Sequence, residues 1–241
     1  MIAIMEKIET LLAEVASHQP QDSGRPFVTL SYAQSLDGCI ATHLGQPLAL
    51  SGPQSLSLTH QLRAAHDAIL VGIGTILADN PRLTVRLVTG RDPQPVVVDT
   101  WLRFPERANL LQNPLPPWIA AGEQADRERQ RMLESAGARI LRLPTDLNQH
   151  VNLAALLEHL GVLGVNSLMV EGGARIITSF LRERLVDLLV LTVCPMLVGG
   201  LRAVDHLGGS DPAHFPRLRQ PRYAQAGEDL IIWGDLAWGQ A

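Results

Sequence analysis

Ile4, Ile8, Leu11, Leu12 and Val15 recur at helical spacing and predict an amphipathic helix over residues 4–17. The polar run HQPQDSGRP at residues 18–26 reads as a linker, so this first helix is expected to stand as an appendage. The pattern then changes. Residues 27–33 are β-rich, and residues 53–65 predict a helix with Pro53 in its first turn. Short aliphatic runs at 68–71 (AILV) and 95–98 (PVVV) predict buried strands, with a helix starting at 75–78 between them. A strand at 117–121, a charged helix at 125–136 and a strand at 138–143 follow. Further on come a helix at 152–160, a strand at 167–170 and a helix at 174–184. Longer strands at 185–194 and 223–233 close the chain. Strand alternates with helix through the middle, which predicts an α/β fold with a mostly parallel central sheet. The last third sets strand beside strand and predicts antiparallel C-terminal strands. The apolar strand at 185–194 reads as an edge that needs covering, and hence as a surface for a second copy.

Length and composition narrow the class. The 241 residues are 46% hydrophobic and only 18% charged, enough for a sizeable aliphatic core without staples. A formal charge of −4 with no polybasic block argues against nucleic acid or an anionic membrane as partner. Cys39 and Cys194 form neither a metal-binding nor a disulfide pattern and read as reduced thiols of a cytoplasmic protein. Glu6 and Glu9 interrupt the N-terminal apolar stretch, which makes it a poor signal peptide. The apolar run at 188–201 is broken by Pro195 and is too short to span a bilayer.

Three constellations could carry chemistry, each at a predicted strand end, where α/β sheets bind ligands. Ser35-Leu36-Asp37-Gly38 also reads as a plain turn, because Asp-Gly is a strong turn dipeptide. Gly72-Ile73-Gly74-Thr75 puts two glycines between a strand and a helix start, where backbone can approach a phosphate or a ring. A tight βα turn accounts for the same residues, and Leu77 stands where a Rossmann fingerprint needs its third glycine. Glu171-Gly172-Gly173-Ala174 opens a further helix with N–H groups suited to a pyrophosphate, or is a glycine turn beside a solvated carboxylate. Pro81 shapes the loop after Asp79 and Asn80. Arg63 and Arg86 are candidate anchors for an anionic group, although surface arginines are usually only solvated. His60 and His66 are six apart, not a same-face pair, and read as surface or packing residues. No esterase elbow, Walker loop or zinc-binding motif is found, and no metal is expected.

Taken together, RPFVTL and YAQSLDGCIA (residues 25–41), LRAAHDAILVGIGTILADNPRLTVR (62–86) and LMVEGGARIITSFL (168–181) resemble the pyrimidine reductase domain of riboflavin biosynthesis. That domain is often fused to a deaminase, which has no counterpart here. The resemblance divides the chain into an N-terminal helix and linker (1–24) and a reductase domain (25–241). It implies a dihydrofolate-reductase-like three-layer fold, NADPH as cofactor and a homodimer. It also implies a phosphorylated pyrimidine ribosylamine, 5-amino-6-(5-phosphoribosylamino)uracil, as substrate. By position, Ala33, Gly72, Gly74, Thr75, Asp79, Thr100, Gly172, Gly173, Ala174 and Arg175, within a helix start reaching Ser179, correspond to cofactor contacts. Arg63, Leu83, Arg86 and Glu171 correspond to substrate contacts, with Asn80 between the two groups and Glu171 as the catalytic candidate that orients or polarises the opening ribosylamine.

Two departures bear on the substrate. Ser31 stands where the family commonly has lysine, and Pro47-Leu48-Ala49 replaces a serine- and tryptophan-containing stretch. Three other readings therefore stand beside the first. One is the sister reductase acting on the 2,5-diamino pyrimidinone phosphate, which differs only at the base. Another is a non-catalytic NADP-binding module. The third is a general carbonyl reductase indifferent to phosphate.

Overall fold

The aliphatic runs AILV, PVVV and SLMV have no polar face to turn to water, and all three become interior strands of a sheet covered on both sides. The computed structural model describes residues 2–17, 24–208, 211 and 214–239. In chain order, helix α1 (Ile2–Ser17) precedes β1 (Phe27–Ser35), β2 (Cys39–His43), β3 (Gln46–Pro47) and α2 (Pro53–Ala65). Next come β4 (Ala68–Gly72), α3 (Ile73–Asp79), β5 (Gln94–Val98), β6 (Trp118–Gly122), α4 (Arg127–Ser135) and β7 (Arg139–Leu143). The chain continues with α5 (Leu153–Val162), β8 (Ser167–Gly172), α6 (Ala174–Arg182) and β9 (Leu188–Cys194). It ends with β10 (Leu201–Arg202), β11 (Arg217–Ala226) and β12 (Asp229–Ala237). The main sheet runs β11-β12-β9-β1-β8-β4-β5-β6-β7. It is parallel from β9 to β7, while β12 and β11 are antiparallel, as expected for the C-terminal strands.

Alternation along the strands sorts the core into layers. Val28, Leu30, Leu70 and Val170 face α5 and α6, where Leu156, Leu160, Ile177 and Phe180 are fully buried. Ile69, Val71 and Val97 face the other way, toward Ile76 of α3 and Leu133 of α4. On that second face Met169, Val190 and Trp233 pack with Leu58 and Leu62 of α2 and with Leu11 and Val15 of α1. The first helix is thus part of the core rather than an appendage. Of the linker read over 18–26, residues 18–23 lie outside the described residues.

Two further expectations change, and one element is new. The strand read at 223–233 is a hairpin, with β11 and β12 meeting at Gly227 and Glu228. The apolar periodicity runs through this turn, and only Gly227 with its φ of 67° marks it. Strand β9 is not an edge: β1 and β12 flank it, so it has no free edge to offer a second copy. Strands β10, β2 and β3 form a small separate sheet, too short for periodicity to reveal. Asp37 serves the turn reading, accepting from the backbone N–H groups of Val198 at 3.0 Å and Gly199 at 2.6 Å. The Ser35 hydroxyl and these two N–H groups hold the Asp37 carboxyl well below the usual carboxylate range.

Two aspartates fasten the ends of this framework. Helix α2 starts at Gly52 without a side-chain cap of its own. Asp229 of β12, fully enclosed, accepts from the Gly52 N–H at 2.8 Å and from the Ser55 hydroxyl, so a distant strand satisfies the helix start. Asp229→Ala should lower stability by about 1–2 kcal/mol in chemical denaturation, the range for a lost cap. At the amino ends of β4 and β8, Asp67 accepts from the N–H groups of Asn166 at 2.9 Å and Ser167 at 3.1 Å and pairs with Arg91. Burial works against its charge, but these donors outweigh burial and hold the carboxyl below the ordinary aspartate range. A depressed carboxylate stabilises the fold above its unfolded value and loses that contribution as pH falls through the folded one. Asp67→Asn should therefore be less stable at pH 7 and lose less additional stability below about pH 4 in acid titration of the melting temperature.

Candidate active site

Connections from β4 and β8, which are neighbours, leave in opposite directions. Strand β4 leads through α3 toward β5, while β8 leads through α6 to β9 beyond β1. Helices α3 and α6 consequently lie on opposite faces, and a crevice opens between them at the carboxyl ends of the two strands. The two glycine-bearing constellations meet there. A Cβ on Gly72 would stand 2.7 Å from Cγ1 of Ile176, so a side chain would push α6 off the sheet. Gly173, at φ 90° and ψ 125°, opens α6 with no side chain capping its N–H groups. A Cβ on it would lie 3.1 Å from the Thr75 hydroxyl, which places the starts of α3 and α6 side by side. Gly74 faces open space.

Pairing of β8 with β4 slips at this point. Leu70 faces Val170 but Val71 faces Gly172, so Glu171 sits in a bulge. The bulge turns Glu171 toward α2, where Arg63 grips it with both prongs, Nε to Oε2 at 2.8 Å and Nη2 to Oε1. The Arg63 side chain keeps only 8% of its surface exposed and Glu171 20%. The remaining prong of Arg63 donates to the Thr84 carbonyl at 3.1 Å. Arg63 therefore does not stand free as an anion anchor, as the sequence suggested: its fork is filled by Glu171 and the 84–86 loop. Arg86 differs. Its guanidinium is exposed and, among the described residues, hydrogen-bonds only to Thr84, at the hydroxyl (2.9 Å) and the carbonyl (3.4 Å), so several donors face outward.

The other expected residues divide. Ala33 lies near the carboxyl end of β1, beside Thr192 of β9 and half-buried. Asp79 closes α3, with its carboxyl pushed upward by burial. Asn80 caps α3 in the left-handed conformation, and its side-chain oxygen accepts from the Asn109 N–H at 2.8 Å. That oxygen is a structural tie, not an open ligand contact. Leu83 is buried at φ 55°, a strained turn that directs the chain into Thr84–Arg86. Gly172 is buried at φ 135°, Ala174 is half-buried, and Arg175 is exposed on the first turn of α6. The Thr100 hydroxyl accepts from the Val151 N–H at 3.1 Å. Thr100 also lines a cleft of about 330 Å³ at the ends of β5, β6 and β7, with Trp101, Gly122, Gln124, Thr145 and Gln149. Sequence reading missed this cleft except at Thr100, because the ends of three separate strands, which share no motif, build it. His60 and His66, read as surface or packing residues, are both fully enclosed. His66 bridges the Leu62 carbonyl (2.6 Å) and the Thr29 hydroxyl (2.8 Å).

A family model described as the RibD C-terminal domain matches residues 26–232, which is most of the chain. The chain belongs to the RibD C-terminal domain family. Among members of this family, it is 41% identical over 214 residues to the 2,5-diamino-6-ribosylamino-4(3H)-pyrimidinone 5′-phosphate reductase of Methanothermobacter thermautotrophicus. That match covers 86% of this chain and 97% of the relative. It is 34% identical over 210 residues to the riboflavin biosynthesis protein RibD of Aquifex aeolicus, covering 87% of this chain and 57% of the relative, so the chain spans little more than half of that longer protein. The solved riboflavin biosynthesis reductase of Saccharomyces cerevisiae superposes with a TM-score of 0.73 at 29% identity, over 91% of this chain and 93% of that one. Two of these relatives are named as reductases, and two are named for riboflavin biosynthesis.

The sequence reading marks Ser31 and Pro47-Leu48-Ala49 as departures. Ser31 is buried in β1 beside Val190, on the sheet face turned to α2. Pro47 pairs with Ala41 in the small sheet, against α3. Among the described residues, no helix is long and apolar enough to cross a membrane.

Proposed function

We propose that the chain is an NADPH-dependent reductase that converts the ribosyl group of a pyrimidine ribosylamine 5′-phosphate to a ribityl chain. The observation that carries this reading is that Arg63 ties the Glu171 carboxylate, beside the glycine-opened start of α6, to the loop that presents the outward-facing Arg86. The residues fit a dinucleotide. Gly74 leaves room for backbone approach, Gly173 holds a backbone that side chains rarely adopt, and the uncapped N–H groups of α6 suit a pyrophosphate. The cleft around Thr100 and Trp101 offers an aromatic face and two amide side chains for a purine. With the dinucleotide so bound, its reduced nicotinamide would supply the hydride for ribose C1′. The protein's own part is placement. Arg86 grips the substrate phosphate, and Glu171, immobilised by Arg63, orients the opening ribosylamine.

Between the two pyrimidines, the 2,5-diamino substrate is favoured over the uracil first read from the sequence. The supporting fact is the match over nearly the whole length of a stand-alone reductase of that name. A homodimer and a cytoplasmic location belong to the same reading, without edge-to-edge pairing of β9. NADPH consumption with each pyrimidine, measured side by side, tests it. Turnover of the diamino compound is expected, and tight NADPH binding without turnover of either would favour a binding module, the reading that the Ser31 and Pro47-Leu48-Ala49 departures favour. Arg86→Ala should raise KM for the phosphorylated substrate about 10–100-fold while changing kcat little, the signature of a lost charged contact made equally in ground and transition states.

A further inference from the structure

Arg86 is useful only if its Cα is fixed, and it lies in a loop. Three consecutive residues of that loop are each tied by a side chain. The Thr84 carbonyl accepts from Arg63 at 3.1 Å, the Val85 N–H donates to Asp92 at 2.7 Å, and the Arg86 N–H donates to Nδ1 of His60 at 3.0 Å. His60 and Arg63 are one turn apart on α2, so one helix face grips the loop at two points. A backbone N–H can only donate, so Nδ1 of His60 must carry its lone pair and the ring must be neutral. His60 is 1% exposed.

We propose that His60 is the positioning residue for Arg86 and thereby sets the grip on the phosphate of the substrate. This rests on the assignment of Arg86 to that phosphate. Of the three ties, only His60 has an ordinary protonation range near neutral pH. Among the described residues, the charged groups facing it are Arg63 of its own helix, Arg86 of the loop and Glu171 of β8. Burial, then the two guanidinium groups, hold its pKa below the usual histidine value, against the smaller opposing pull of Glu171. The neutral ring is therefore favoured in the fold, and the tie is complete above about pH 6.5. As pH falls below that range, protonation sets N–H against N–H, adds a third cation beside two, and releases the loop.

The test is KM and kcat from pH 5 to 8 with 2,5-diamino-6-ribosylamino-4(3H)-pyrimidinone 5′-phosphate and with its dephosphorylated form. The enzymes compared are wild type, His60→Asn and His60→Leu, each with a thermal melt. Asparagine places Oδ1 near the position of Nδ1 and does not titrate. His60→Leu should raise KM for the phosphorylated substrate about three- to tenfold at pH 8, with kcat nearly unchanged and no effect on the dephosphorylated form. His60→Asn should restore the wild-type value at pH 8. The substrate phosphate itself titrates near pH 6 but does so for every variant, so the ratio of wild-type to His60→Asn KM isolates the histidine. That ratio should rise as pH falls. A ratio flat with pH, or a KM change shared by both substrates, overturns the proposal, and the flat ratio does so even if His60→Leu fails to fold. Failure of the wild type to turn over either pyrimidine overturns the functional reading and this inference with it. An unchanged KM in Arg86→Ala overturns only the phosphate assignment on which the inference rests.

Discussion

Arg63→Met is expected to destabilise the fold by about 2–4 kcal/mol and to reduce turnover about 100-fold or more. The argument starts from burial. Removing one partner of an enclosed ion pair leaves the other charge without compensation, which costs about 3–5 kcal/mol when both are fully buried. Glu171 keeps a fifth of its side chain in water, which lowers the cost. The Thr84 carbonyl loses its donor as well, adding about 1 kcal/mol. Activity falls further because the carboxylate is then free to swing, and displacement by about 1 Å at a reacting centre is worth about two orders of magnitude. The double variant Arg63→Met/Glu171→Leu separates the two effects. It should regain most of the stability, since an apolar pair of similar volume replaces the ions, yet remain inactive. Glu171→Gln keeps the shape and one acceptor, and should lower kcat more than it raises KM. Unchanged kcat and KM in Glu171→Gln would remove Glu171 from the mechanism. Denaturant melts and steady-state kinetics on the four proteins decide these points.

Gly173→Ala has the second largest expected effect, and it falls on the cofactor rather than on the pyrimidine. The backbone at φ 90° and ψ 125° is one that L side chains rarely adopt, at a cost of about 1–3 kcal/mol. The added methyl would also crowd the Thr75 hydroxyl at 3.1 Å. The helix start must shift or twist to relieve both, and its N–H groups then miss the pyrophosphate. The expected result is NADPH affinity reduced about tenfold or more, read by fluorescence titration, with a modest drop in melting temperature. Gly74→Ala is the matched control. Its Cβ meets nothing in the protein, so stability should hold and any loss of NADPH affinity reports the space that a ligand needs.

Much of the architecture was legible in the chain. The helix at residues 53–65 and the buried strands of the middle third are where periodicity and uninterrupted aliphatic runs put them, because a segment's own pattern fixes how it hides its apolar atoms. The glycines of the second strand-to-helix turn, Gly172 and Gly173, were legible for a similar reason, since few other residues fit their positive-φ backbone, whereas Gly72 has ordinary backbone and is constrained only by Ile176 of α6. Less legible were features that depend on two distant segments. The strand at 188–194 has the composition of an edge or of an interior strand alike, and only the hairpin folding back through β12 makes it interior. Leu11 and Val15 show that the first helix has an apolar face, but not that α2 and the sheet receive it.

The same division runs through the candidate site. Sequence alone picked out Arg63, Arg86 and Glu171 as the charged residues worth attention. It gave the two arginines the same task, because a guanidinium carries no mark of its partner. The bulge that skips Glu171 between Val170 and Gly172 turns that carboxylate onto Arg63 and leaves Arg86 alone outward-facing. His60 passed as a packing residue because its partner is a backbone N–H 26 positions away. Residue type and local periodicity therefore determined which segments fold and which groups are available. Register, burial and the pairing of distant charges depend on where other segments lie, and only the tertiary structure could decide which group holds substrate and which holds its neighbour in place.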